Sequence, residues 1–498
     1  MVVDAAVKAL AGGTALTFAA YQTGALGWVD EGSARSLRFW SAAFPIYLRY
    51  EFVQQRNKRG LLSDTDAMAA YEALHERYAE YVRDLTYEMR GFYLKNAQLM
   101  STRDEFVPKQ YLGWCKETQD NCPTEFMPGE ARAAAERELG RPLSQVFERW
   151  DEEPLAVASI GQVHGARLRA EVMAELAAAG NPLESPEVVV KIQLPNIERR
   201  FRADIKTIIS FCKLAMPQHV PPMQEIEKQF LTEFDYTLEA ANLAEVRANV
   251  LGARDRAGRP WSERIAIPTP AMPLCTKGVL VMERLPGVPM VAGLRKQFGA
   301  IAKSRGQTLA ELEAEQKAKI EAGTLAKLSL SEDAAQFRSF NRMLRLQQWA
   351  LAPVRMCWNC SVGLVAGRWE HAEGMGAGPG GELLSLGELL QTLADVHAHE
   401  IFVDGTFNGD PHPGNIMLLP DGRLGLIDYG QVKHIDLATR KSYARLIIAL
   451  DEEHQEEVFR IVQQELGCRS KYNNPDVQCL LRQLISQALA IEPEPYSK

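Results

Sequence analysis

The sequence predicts an α+β protein of two lobes, a small strand-rich lobe and a larger helical one, with a helical extension in front. Three observations carry this. Val188 to Ile192 is a β-branched run and Gly278 to Met282 an apolar one, and both read as buried strands in the first half of the chain. Apolar residues at 386, 389, 390, 393 and 396, and again through Tyr443 to Leu450 and Val458 to Leu466, recur at helical steps in the second half. Two acidic, turn-forming runs, Asp410 to Asn415 and Leu426 to Gly430, sit beside short apolar stretches of that helical half.

In chain order, residues 1–65 read as a leader. From Ala9 to Val29 there are twenty-one uncharged residues, close to the length a spanning helix needs, although Ala, Gly and Thr dominate them. Arg35, Arg38, Arg49, Arg56, Lys58 and Arg59 follow among Phe39, Trp40, Phe44 and Tyr47. That mixture suits attachment at a membrane interface, and a helix buried against the domain is the other reading. Asp4 and a single early Lys8 make a poor secretory start, and a short organellar presequence stays open.

Residues 66–150 are expected to form the helical extension, broken by Pro123 and Pro128, with Tyr71, Leu74, Tyr78, Tyr81, Leu85, Met89 and Phe92 along one helix that ends near Lys95 and Gln98. Residues 151–290 read as the strand-rich lobe. Its helices are expected around Ile205 to Cys212 and from Glu233 to Val250, and after the strand ending at Met282 the run Glu283 to Gly287 reads as a hinge whose backbone meets a base. Residues 291–382 are an insertion, helical in its Glu/Lys/Ala-rich half and flexible through Gly374 to Gly381. The Gly-x-Gly-x-x-Gly at 376, 378 and 381 lacks the leading strand a dinucleotide site requires, so it is read as a linker. Residues 383–498 make the helical lobe.

The chemistry lies in the spacing. Asp410 has an asparagine five positions on, Asn415, and Asp428-Tyr429-Gly430 begins eighteen residues after Asp410. This is the spacing of a kinase catalytic loop and its metal-binding turn. Asp410 is expected near a transferring phosphoryl group, with Asn415 and Asp428 holding Mg²⁺ against the phosphates. Lys191, the single cation of its strand, fits a contact to the α- and β-phosphates. Upstream, Ala156, Ala158, Gly161 and Val163 fall on Gly-x-Gly-x-x-Gly-x-Val with alanine at two glycine positions, and Ser159 lies in the same loop. A Cβ costs roughly 1–2 kcal/mol per residue where φ is left-handed. The loop is therefore expected to bind nucleotide differently from that of an ordinary protein kinase, with ADP as well as ATP in view.

The runs Ala156 to His164, Val190-Lys191, Glu233-Phe234-Asp235-Tyr236 with Glu239 and Asn242, and Asp410 to Asn415 resemble the UbiB family of atypical kinases, also called aarF-domain-containing kinases, over about residues 85–435. The resemblance implies a bilobal protein-kinase-like fold whose helical extension packs over the active site. It assigns Lys95-Asn96-Ala97-Gln98 to the family's Lys-x-Gly-Gln segment, with Lys95 pairing Glu233 or Asp235 and Glu239 partnering Lys191. Ala97 departs from the family glycine, and Asn408 stands where many members have histidine. Nucleotide contacts are expected at Ala156, Ala158, Ser159, Gly161, Val163, Lys191, Met282 and Glu283.

Composition fits this assignment. The chain has 498 residues, 46% of them hydrophobic and 24% charged, enough for a real core over two or three domains. A net charge of −8 argues against nucleic acid. Eight cysteines without regular spacing suggest a reducing compartment, and Cys357-x-x-Cys360 has no second pair to complete a zinc site. No Ala-Pro-Glu run follows Gly430, which weighs against phosphorylating proteins. The expected function is that of a membrane-associated kinase-like ATPase or phosphotransferase using Mg²⁺ with ATP or ADP. By resemblance it supports isoprenoid quinone or membrane-lipid homeostasis in a mitochondrion, or alternatively a plastid, with membrane lipid, isoprenoid and a membrane-bound biosynthetic complex as partners. A catalytically silent nucleotide- or lipid-binding scaffold, and a small-molecule or lipid kinase, are the alternatives.

Overall fold

Alternation sets the first sheet. Val188, Val190 and Ile192 are wholly buried, so the period of two turns Val189 and Lys191 to the other face. In the computed structural model the described residues are 30–101, 107–120, 126–127, 129–157, 160–322, 339, 341–343 and 384–467. The chain divides into two compact units, one of Met1–Leu243 with Pro268–Arg284 and the other of Ala244–Ile267 with Leu285–Lys498.

The first unit holds strands β1 (Phe147–Val157), β2 (Gly161–Leu168), β3 (Glu187–Gln193) and β5 (Val279–Glu283) in one antiparallel sheet of order β1-β2-β3-β5; the short β4 (Ile265–Ala266) belongs to the other unit. Around it lie helices α1 (Glu31–Lys58), α2 (Asp64–Met89), α3 (Gly91–Met100), α4 (Lys109–Asp120), α5 (Glu130–Leu139), the single turn α6 (Leu143–Val146), α7 (Ala170–Ala178), α8 (Ile197–Ala215) and α9 (Val220–Leu231). A single core joins them. Phe39, Leu85, Met89 and Phe92 from the extension belong to the same buried cluster as Val188, Val190, Ile192 and Phe201.

Part of the basic-aromatic segment is therefore core rather than interface. Phe39 of α1 stacks on Tyr93 at 5.8 Å and meets Phe211 edge-on at 5.6 Å, and Trp40 also packs on Phe211. Arg35 is buried, and its guanidinium clasps Asp204 of α8 at 2.9 and 2.6 Å. Burial pushes the Asp204 carboxyl up to about 6 despite the Arg35 hydrogen bonds, which pull it down.

Two expected helices are broken where long-range contacts intervene. The run from Tyr71 to Gln98 is two helices, because Arg90 adopts φ 54° and Gly91 φ 46°. At that break the Met89 carbonyl receives the Arg35 guanidinium, so a buried cation takes one of the orphan acceptors of the helix end. Likewise the run from Glu233 to Val250 begins as a single tight turn, Thr232–Phe234, and restarts after Asp235 as α10 (Tyr236–Gly252). Asp235 caps the new start by accepting from the Thr237 amide at 3.0 Å.

The second unit has a sheet of order β4-β9-β8-β6, in which β6 is Val288–Pro289, β8 Ile416–Leu418 and β9 Leu424–Leu426, with β4 parallel to β9 and the other pairs antiparallel. A separate ribbon pairs β7 (Thr406–Asn408) with β10 (Val432–His434). That strand replaces the direct passage from Gly430 into helix expected from the sequence. Its described helices are α11 (Met290–Ser304), α12 (Leu309–Glu321), α13 (Leu386–His399), α14 (Leu437–Asp451) and α15 (Gln455–Arg460). The two units together are the α+β class expected, each combining a four-stranded sheet with helices. Among the described residues no helix is long and apolar enough to cross a membrane. The run 9–29, the glycine run 374–381 and Cys357 and Cys360 lie outside those residues.

Candidate functional site

The residues expected to carry chemistry fall into a group in each unit. In the first, the strand period of β3 turns Lys191 away from the core, and its Nζ donates to both carboxylate oxygens of Glu239 at 2.8 and 2.9 Å. Glu239 is buried in the first turn of α10, one turn after Tyr236, whose ring centroid lies 5.0 Å from the ammonium. Tyr236 was not singled out as a site residue. Its spacing of three from Glu239 was the available signal.

The segment expected to meet nucleotide includes the end of β1 and the start of β2. Ala156 pairs with Val163 and Val157 with Gln162, so Ala156 is part of an extended ladder. The expectation that alanine there restricts a left-handed backbone does not hold at Ala156, because a ladder residue has no need of positive φ. Ala158 and Ser159 lie outside the described residues. Gly161 matters for a different reason: a Cβ there would sit 2.3 Å from the Ile192 carbonyl oxygen and 3.0 Å from the Tyr236 hydroxyl. Glycine lets β2 press directly against β3 beside Lys191.

At the extension, Lys95 pairs with Glu233 at 3.1 Å and lies 5.4 Å from the Phe230 ring centroid. Asp235, the other acid proposed as its partner, is engaged with Thr237. Gln98 donates to the Thr118 carbonyl of α4 at 2.9 Å, and Ala97 is buried between these two contacts. Met282 is buried in β5. Glu283 accepts from the Glu184 and Thr269 amides, and its own amide donates to the Thr269 carbonyl at 3.0 Å. Both its carboxylate and its amide are thus engaged within the protein.

In the second unit, Asn415 immediately precedes β8 and Asp428 follows β9 by one residue. The pairing of Ile416 with Leu426, extended by the Ile427 amide donating to the Asn415 carbonyl at 3.2 Å, puts both at one end of the hairpin. Asn408 ties Asp410 to that end. Its Oδ1 accepts from the Asp410 amide at 2.9 Å, and its Nδ2 donates to the Asp428 carbonyl at 2.8 Å. The Asp428 carboxylate accepts from the Gly430 amide at 3.0 Å. Asp410 is exposed, whereas Asn415 and Asp428 are half-buried. Beneath them Tyr429 is buried with its hydroxyl toward Glu400, and burial with that carboxylate holds the phenol well above its usual range, so it stays a donor. Asn408 entered the sequence reading only as a departure from histidine; its linking role depends on contacts across the β7–β10 ribbon, which no local spacing reveals.

An amide oxygen and a carboxylate are hard oxygen donors of the kind Mg²⁺ takes when phosphates and waters complete its shell. Among the described residues no cluster of three or more His, Cys, Asp or Glu could hold a metal by itself. The donor set fits a cation shared with a phosphorylated ligand and does not fit a closed structural site.

A family model described as an ABC1 atypical kinase-like domain matches residues 117–317 and 382–462. The chain belongs to that family. A probable protein kinase UbiB of Pseudomonas paraeruginosa is 32% identical over 229 residues, 43% of this chain and 38% of that protein. Another, of Pseudomonas entomophila, is 33% identical over 211 residues, 41% of this chain and 35% of that one. The match thus spans well under half of the length of these UbiB relatives. An uncharacterised protein of Synechocystis is 24% identical over 381 residues, covering 74% of this chain and 69% of its own length.

Proposed function

We propose that this ABC1-family chain is a working enzyme, an atypical kinase-like ATPase or phosphotransferase that binds a Mg²⁺-nucleotide, ATP or ADP. The observation that carries this reading is the Asn408 bridge. One side chain holds the turn of Asp410 against the backbone of Asp428, at the hairpin end that also bears Asn415. Such preorganisation suits phosphoryl transfer, where catalysis is mainly positioning and charge stabilisation.

In this mechanism Asp410 orients the attacking oxygen, of water or of another acceptor, and its exposed carboxylate is open to that contact. Asn415 and Asp428 would hold the cation, which when bound neutralises charge on the phosphates. Lys191 meets phosphate oxygens, and Glu239 is its positioning residue. Lys95 and Glu233 hold the extension in place as a lid.

Support of isoprenoid quinone or membrane-lipid homeostasis rests on the UbiB name of the Pseudomonas relatives. Membrane association is favoured by Leu37, Phe44, Leu48 and Phe52 of α1, exposed at steps of seven and four along one helix. Mitochondrial or plastid residence remains part of the proposal.

Calorimetry tests the site. Asp428→Asn abolishes Mg²⁺-dependent nucleotide binding, and unchanged binding overturns the assignment. Asp410→Ala keeps binding but loses phosphate release in detergent or liposomes; equal release from both proteins would leave the silent-scaffold reading in possession.

A further inference from the structure

The first unit contains a cavity of about 830 Å³ that neither Lys191 nor Glu239 lines, and its volume lies within the range of small-ligand sites. It opens among the start of α1, α5, the start of α8 and the turn before β5. Five cations and three carboxylates line it, in a chain whose net charge is −8.

The carboxylates are already engaged. Asp30 accepts from Ser33, and Glu138 accepts from Thr276 and from the Gly278 amide. Glu198 takes both Lys277 at 2.7 Å and Arg202 at 2.8 Å. The other three cations, Arg137, Arg199 and Lys206, form no ion pair among the described residues. The lining thus carries two more cations than carboxylates, with Arg199 near enough to Asp30 to join Ser33 in lowering its carboxyl, and low-dielectric walls concentrate the surplus positive field of a concave site.

We propose that this cavity binds a phosphate-bearing anion, a free diphosphate or a phosphorylated headgroup, at a place separate from the nucleotide residues. Two guanidinium forks and an ammonium suit tetrahedral oxyanions, which accept paired N–H donors. The cavity also adjoins the nucleotide loop. Gln193 and Leu194 line it, the Leu194 amide donates to the Ile160 carbonyl at 2.9 Å, and the Gln193 amide to the Gly278 carbonyl at 2.9 Å.

The test uses the full chain in EDTA, titrated calorimetrically with inorganic pyrophosphate. The wild type binds, and Arg199→Glu with Lys206→Glu weakens binding at least about tenfold. Lys206→Glu alone also weakens it, whereas Lys213→Glu, an equal single charge reversal on an exposed position of α8 outside the cavity, leaves it unchanged. Lys191→Met also leaves it unchanged; a loss there instead places the anion at Lys191 and overturns the proposal. Sedimentation with phosphatidylcholine vesicles, with and without phosphatidylglycerol, separates the sources. Retention on the anionic vesicles that the double reversal abolishes identifies a lipid headgroup, and pyrophosphate binding without such retention identifies a soluble ligand. Equal weakening by Lys213→Glu, or neither probe responding to the double reversal, overturns the proposal.

Discussion

Two ion pairs in the first unit have similar chemistry and different uses. Arg35–Asp204 and Lys191–Glu239 each join a long cation to a carboxylate with little exposure, 10% and 1% for the first pair's side chains and 15% and 6% for the second's. Arg35 also donates from Nη2 to the Met89 carbonyl, so this pair ties α1, α2 and α8 of the core together. Lys191 has an aromatic face beside it and a glycine strand pressed close, on the side of the sheet opposite the core. Burial of a charged pair is thus not itself a sign of function. The difference lies in what else the cation can reach.

The largest expected effect falls on the inward pair. Arg35→Ala leaves the buried Asp204 carboxyl and Met89 carbonyl without their shared donor, and should lower unfolding free energy by about 3–5 kcal/mol in urea titrations, with nucleotide affinity of the folded protein unchanged. A loss of affinity would erase the contrast between the pairs.

The pH dependence sharpens it. The folded Asp204 carboxyl is raised from 3.8 to about 6, so the protonated form is favoured by folding. Its contribution is complete below 3.8 and disappears as pH rises through 6. Relative to Asp204→Asn, the wild type should therefore lose about 3 kcal/mol of stability across that window. Parallel stability curves for the two proteins would contradict this.

A smaller effect is expected at the other pair. Lys191→Met combined with Glu239→Leu removes both charges together and should stay within about 1 kcal/mol of wild-type stability, because apolar replacements avoid leaving a lone buried charge. Nucleotide affinity should fall about ten- to a hundredfold for the lost phosphate contact. Intact affinity would show that Lys191 is as structural as Arg35. Smallest is Lys95→Ala, which should cost about 1 kcal/mol for a partly exposed pair with a cation–π contact, read as a modest fall in melting temperature.

This contrast also explains what the sequence disclosed. Lys191 was legible because it is the lone cation of a β-branched run, and Asp410, Asn415 and Asp428 because a short loop and a hairpin preserve spacing. Arg35 and its basic neighbours could be read either as interfacial or as part of a buried helix, since the partner that decides it is 169 residues away. The same distant contact accompanies the break at Arg90, which helical periodicity alone passes over. Strands β4 and β6 to β10 have two or three residues each, too short to display alternation. The Asn408 bridge was illegible for a related reason, since it needs the β7–β10 ribbon formed first.

The amide of Ile427 has a further consequence. It donates to the carbonyl of Asn415 and immediately precedes Asp428, so its solvent-exchange rate is a built-in gauge of the hairpin mouth. Any occupant that tightens that mouth would slow a single, assignable proton, giving a readout that needs neither turnover nor a known acceptor.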